Sequence, residues 1–172
     1  IFQTQLNYYF PGDKRFVKTT LAKQLGLYVV MYQPLQMAAD LPENYAKHMD
    51  AFQFIKDVAA DWDDTKILSA EPGDYIHTAR KAKGTDNWFV GGITDENARE
   101  YTVDFSFLDK GKKYEAIIYK DGKDADYINN PQSYSIEKKL VTSDSKVKIQ
   151  LARSGGYAIS VKPINPKDLM KK

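Results

Sequence analysis

At Thr65 the spacing of apolar residues changes from about 3.6 to 2, and this switch constrains the fold more than any single motif. Downstream, apolar and polar residues alternate over 74–82, 87–93, 100–105, 114–119, 133–140, 146–151 and 156–161. In the last but one of these runs Val147, Ile149 and Leu151 face one way while Lys146, Lys148 and Gln150 face the other, so one face packs and one is solvated. Turn signals separate the runs: Lys83-Gly84, Lys110-Gly111, Asp121-Gly122, Asn130-Pro131, Ser143-Asp144 and Gly155-Gly156. Short strands at this spacing predict an antiparallel β-sandwich over 65–162, followed by a solvated Pro- and Lys-containing tail over 163–172.

Upstream of the switch the pattern is helical. Asp13 is a candidate N-cap, and Val17, Leu21, Leu25, Tyr28, Val29 and Tyr32 follow at three- and four-residue steps until Pro34, which cannot continue a helix. Residues 35–39 are apolar and too few for a helix, which predicts a buried strand ending at Asp40. Pro42 and Glu43 open a second helical pattern with Tyr45, Met49, Phe52, Ile55, Val58 and Ala59 on one face, running out near Asp61. Helix, Pro break, apolar strand and terminal acid is how the last repeat of a (β/α)8 barrel reads, with polar groups at the carboxyl end of the strand, where such barrels keep their sites. On that reading Asp40 and Gln36 line a substrate pocket; the competing reading makes Asp40 the acid at a helix N-terminus. A closed barrel needs roughly 250 residues, and only about 30 precede this strand. The predicted class is therefore α+β by segment: the helix-strand-helix end of a (β/α)8 barrel over 1–62, then the sandwich, as the carboxyl-terminal part of a longer protein.

Composition narrows the chemistry. Basic and acidic residues, 25 and 23 of them, are interspersed and leave a net charge of +2, so there is no electrostatic footprint for nucleic acid or an anionic membrane surface. No run approaches the ~20 apolar residues of a membrane span. The chain has no cysteine, which removes disulfides and thiol chemistry. It also has no nucleophile elbow, P-loop or dinucleotide fingerprint. Asp61, Asp63 and Asp64 are a candidate carboxylate group, but acids just beyond a helix read better as a solvated linker. Asp121 to Asp126 fails the EF-hand pattern, since Lys123 and Ala125 occupy ligand positions, and reads as a hairpin turn. His48 and His77 are too few for a metal cluster, and His77 reads as a structural strand residue. No catalytic and no metal-ligating residue is assigned. The aromatics Tyr75, Trp88, Tyr101, Phe105, Phe107, Tyr114, Tyr119, Tyr127 and Tyr134 could stack on sugar rings as a binding module, but their spacing favours packing.

Several stretches resemble glycoside hydrolase family 97: Leu25-Gly-Leu-Tyr-Val-Val, Pro34-Leu-Gln-Met-Ala-Ala-Asp-Leu-Pro-Glu-Asn-Tyr45, Ala51-Phe-Gln-Phe-Ile-Lys-Asp-Val58, Ala70-Glu-Pro-Gly-Asp-Tyr-Ile76 with Ala79-Arg-Lys81, and Gly155-Gly-Tyr-Ala-Ile159. The resemblance implies helix seven, strand eight and helix eight of the catalytic barrel over 1–62 and the family's carboxyl-terminal sandwich from about 65. It further implies a periplasmic, calcium-dependent parent α-glycosidase acting on α-linked oligosaccharides, in a family of α-glucosidases and α-galactosidases of which the starch-utilisation α-glucosidase type is the nearer match. The family's catalytic glutamates and calcium ligands lie in preceding segments, so the chain itself is expected to hold no cofactor and to be inactive. Its implied partner is the rest of the barrel; without it the apolar faces at Leu21, Leu25, Val29, Phe52 and Ile55 need other cover, either the sandwich of the same chain or a second copy in a homo-oligomer.

Overall fold

A computed structural model describes residues 16–33 and 35–164. The elements are α1 (Leu21–Val30), α2 (Pro42–Ala46), α3 (Met49–Asp57), β1 (Trp62–Glu71), β2 (Tyr75–Ala82), β3 (Trp88–Thr94), β4 (Arg99–Asp104), β5 (Tyr114–Asp121), β6 (Tyr134–Val141), β7 (Lys146–Leu151) and β8 (Gly156–Pro163). The strands form a six-stranded sheet in the order β1-β2-β3-β8-β5-β6 and a two-stranded sheet of β4 with β7, with antiparallel pairing throughout. Each of the seven alternating runs is a strand.

The two sheets close on a core containing Val90, Val103, Phe105, Tyr114, Ile118, Ile149, Tyr157 and Ile159. A second core lies on the opposite face of the larger sheet, where Leu21, Leu25, Val29, Ala51 and Phe54 pack on Phe89, Tyr119 and Ala158. The six-stranded sheet is thus covered on both sides, and β8 at its centre is buried from Gly156 through Val161. Strands covered on two faces carry apolar or small residues at both parities, which is why β3 and β8 hold Gly91, Gly92 and Ala158 between their larger side chains. Here the glycines permit close approach: a Cβ on Gly91 would lie 2.6 Å from the carbonyl oxygen of Gly26 in α1.

Several expectations change. α1 begins at Leu21 with Thr20 as N-cap, its hydroxyl accepting from the Lys23 amide at 3.1 Å; Asp13, Pro34 and tail residues 165–172 lie outside the described residues. Residues 35–39 form no strand, because no neighbouring strand lies beside them to complete a ladder. The second helical stretch breaks at Lys47–His48, and its buried side chains are Tyr45, Ala51 and Phe54, while Phe52 and Ile55 are only partly covered. The expected linker at 61–64 is the start of β1, which turns into β2 through Gly73 at φ +92°.

Candidate interaction surface

The carboxyl end of α1 leads to the surface that best fits a partner. A helix leaves its last carbonyls without internal partners and its end partially negative. Arg80 of β2 supplies both donors and charge, with Nε 2.7 Å from the Val29 oxygen and Nη2 3.4 Å from that of Val30. The Gln36 side chain adds donations to the carbonyls of Met31 at 3.2 Å and Tyr28 at 3.4 Å. Gln36 therefore folds back on α1. Asp40 lies just before α2 and accepts from the Leu41 amide at 2.8 Å and the Asn44 side chain at 2.6 Å. Burial pushes its carboxyl up, but these hydrogen bonds outweigh that effect and hold it below the usual carboxylate range. The two candidate pocket residues thus stand about one short segment apart, each engaged with its adjacent helix.

Between and beyond them the apolar side chains face outward. Leu35 is 73% exposed and Met37 69%, and Met31, Tyr32, Leu41 and Met49 are about half exposed. We call this run of exposed apolar side chains, strung along the chain from the end of α1 to the start of α3, the apolar ledge; exposed apolar groups gathered in one stretch are the candidate interaction site.

The other sequence candidates are structural. Asp61 pairs with Lys83 at 2.7 Å, Asp63 accepts from the Gly84 amide at 2.8 Å, and Asp64 pairs with Lys66 at 3.1 Å, all along the first strand and its neighbouring turn. Asp124 and Asp126 organise the β5–β6 loop, with Asp124 accepting from Asn130 and Asp126 from the amides of Ile128 and Asn129. His77 is buried, stacks on Tyr101 at 3.6 Å between ring centroids, and meets the Tyr157 hydroxyl at 3.1 Å. Burial pulls its pKa down to about 4. Trp88, Phe105, Tyr114 and Tyr119 are buried in the two cores rather than presented as a sugar platform. Among the described residues no three His, Cys, Asp or Glu side chains are grouped so as to hold a metal. No described helix is long and apolar enough to cross a membrane.

Sequence reasoning missed Asp121. The pattern places it at a turn, whereas it is a buried carboxylate at the end of β5 that accepts from the amides of Ala152 at 2.8 Å and Gly156 at 2.9 Å, with the Thr20 hydroxyl and Lys23 beside it. It ties β5, the β7–β8 turn and the start of α1 together. Burial raises its pKa to about 6 against the opposing pull of those hydrogen bonds. The Gly155-Gly156 pair was the available signal, since a Cβ on Gly155 would sit 2.0 Å from the carboxylate.

Residues 61–162 match the family described as glycosyl-hydrolase 97 C-terminal, oligomerisation. Over 156 residues the chain is 40% identical to a retaining alpha-galactosidase of Bacteroides thetaiotaomicron, covering 91% of this chain and 23% of that protein. Among solved structures it is similar to a glycoside hydrolase family 97 enzyme of Pseudoalteromonas sp. strain K8 in complex with acarbose, at 48% identity and a TM-score of 0.88, covering 94% of this chain and 25% of that one. A variant of that enzyme in complex with panose superposes with a TM-score of 0.89 at 48% identity, over 96% of this chain and 26% of its own. The chain spans about a quarter of the length of these relatives. With its sandwich matched to the family across 61–162, the chain belongs to glycoside hydrolase family 97, where it corresponds to the carboxyl-terminal region.

Proposed function

We propose that this chain is the non-catalytic carboxyl-terminal portion of a longer family 97 α-glycosidase, in which residues 1–62 close the end of the (β/α)8 barrel and the sandwich follows. The observation that carries this reading is the apolar ledge. The inner faces of α1 and α3 are already used by the six-stranded sheet, yet Leu35 and Met37 remain more than two-thirds exposed. The rest of the barrel is the partner that would cover them. In its presence residues 35–39 gain a ladder and become strand eight, which brings Asp40 to the strand's carboxyl end to face an α-linked oligosaccharide, with Gln36 four residues earlier on the same side of the strand.

The parent would be a periplasmic, calcium-dependent α-glucosidase acting on terminal α-glucosidic bonds of starch oligosaccharides. In support, the 48% identical Pseudoalteromonas enzyme is described with acarbose and with panose, a glucose trisaccharide. The 40% identical relative named as an alpha-galactosidase supplies the competing specificity. Glycoside hydrolysis needs two positioned carboxyls, and by resemblance both belong to the preceding segments. An autonomous carbohydrate-binding module is disfavoured by the burial of Trp88, Phe105, Tyr114 and Tyr119.

Two measurements test this. The chain alone is expected to hydrolyse neither p-nitrophenyl α-glucoside nor the α-galactoside, with or without calcium, whereas the longer source polypeptide favours the glucoside. Leu35→Asp with Met37→Asp should leave the melting of the isolated chain unchanged but lower the melting temperature and rate of the longer polypeptide. Turnover by the chain that survives Asp40→Asn, or a longer polypeptide indifferent to the ledge variants, defeats the reading.

A further inference from the structure

Among the described residues β1 and β6 are the two edges of the six-stranded sheet, and they are built differently. β1 carries register shifts between Trp62 and Asp64 and between Ile67 and Ser69. Such irregularities keep an edge from pairing with another strand. β6 has none: its eight residues pair with β5 in unbroken register from Tyr134 opposite Asp121 to Val141 opposite Tyr114. The Gly122 amide donates to the Ser133 carbonyl at 3.0 Å, which sets the phase of the ladder. Ser135, Glu137, Lys139 and Val141 turn their backbone groups toward β5, and Tyr134, Ile136, Lys138 and Leu140 turn theirs outward. Leu140, which is 65% exposed, lies on the same face as the half-buried Ile136. Glu137 and Lys139 share the other face, where Glu137 is held by Lys120 at 2.6 Å and by Lys139 of its own strand at 3.1 Å, a pair a second copy would share.

We propose that β6 is the surface through which this chain binds a second copy of itself, the two β6 strands pairing antiparallel about a two-fold axis at Lys138 and joining two six-stranded sheets into one. The proposal rests on the reading of this region as the family's oligomerisation domain and names the surface used. Opposed side chains in a sheet share a face, so a two-fold axis normal to the sheet must pass through a residue position. An axis at Glu137 sets two carboxylates opposite each other and Ile136 against Lys138. An axis at Lys139 opposes two ammonium groups and sets Lys138 against Leu140. An axis at Lys138 sets Ile136 opposite Leu140 of the second copy and Glu137 opposite Lys139 of the second copy, each twice by symmetry. The outward amides make Ile136–Leu140 and Lys138–Lys138 the hydrogen-bonded pairs and Glu137–Lys139 the non-hydrogen-bonded one. Cα atoms are then about 4.5 Å apart at the attractive charge pair and about 5.5 Å apart at the repulsive one. The complementary charges therefore meet at the shorter spacing, and Leu140 loses its exposure to water.

Sedimentation velocity on the full chain over a wide concentration range tests this with wild type, Leu140→Asp, Lys139→Glu and, at the opposite edge, Ile67→Asp. All three positions are exposed, so thermal melting confirms that each variant folds. The wild type is expected to dimerise, both β6 variants to raise the dissociation constant by about tenfold or more, and Ile67→Asp to leave it unchanged. A dimer that survives both β6 variants overturns the assignment to β6 and leaves association intact. A wild-type chain that stays monomeric throughout overturns the assignment and the oligomerisation reading together.

Discussion

Asp121 and His77 occupy opposite faces of the six-stranded sheet, and burial displaces their titrations toward one another. Asp121 rises from 3.8 to about 6, so the folded chain holds its proton more tightly than the unfolded chain does. Its contribution to stability is complete below the unfolded value and is lost as pH rises through about 6. His77 falls from 6.5 to about 4, so its contribution is present above 6.5 and is lost as pH falls toward 4. Each displacement is worth on the order of 3 kcal/mol across its window, with opposite sign. Between pH 4 and 6 the two offset each other in the wild type. Asp121→Asn should therefore make stability fall on acidification more steeply than in wild type, and His77→Gln should make it rise relative to wild type. Thermal melts at intervals from pH 4 to 7 measure both slopes, and three parallel profiles would contradict the assignment.

At the scale of elements, the helices belong to the folding unit of the sandwich. Without residues 16–60 the larger sheet would present Phe89, Tyr119 and Ala158 to water, side chains now covered by Leu21, Leu25, Val29 and Phe54. The sequence pattern predicts a sandwich over 65–162; the packing extends its folding unit to the helices. A fragment of residues 61–164 should melt at lower temperature and with less cooperativity than the full chain and should bind a hydrophobic dye. A sharp transition at the full-chain temperature would show that the helices are dispensable. The sequence made seven strands legible because apolar residues recur at alternate positions in each, most cleanly at Val147, Ile149 and Leu151 of β7. It hid β1, an edge strand with charges at Asp63, Asp64 and Lys66 and little burial on either side, so that no alternation marks it. It also hid the helical cover, since the small residues Gly91 and Ala158 that admit α1 resemble interruptions rather than contacts. Residues 35–39 misled in the other direction, because an apolar run signals burial without naming what buries it. Of the candidate site, Asp40 and Gln36 were identifiable as polar groups at a boundary, but their bonds to α2 and α1 depend on where the helices end.

At the scale of the whole molecule, the last strand lies at the middle of the larger sheet. β8 pairs with β3 on one side, Gly91 opposite Ala158, and with β5 on the other, Ile118 opposite Ile159. Until residue 156 arrives, β1–β2–β3 and β5–β6 are two partial sheets with unpaired inner edges, and the contacts that join them span long stretches of chain. During synthesis both halves must therefore wait until β8 emerges from the ribosome, with apolar edges open to misassociation. Stopping translation after Leu151 should yield aggregated protein, whereas release at residue 164 yields a folded product, a contrast that partition between soluble and pelleted fractions reads directly. The strand that joins the two partial sheets is thus the one on which solubility turns, and the interval before β8 inserts is when those inner edges are open to chaperones and proteases.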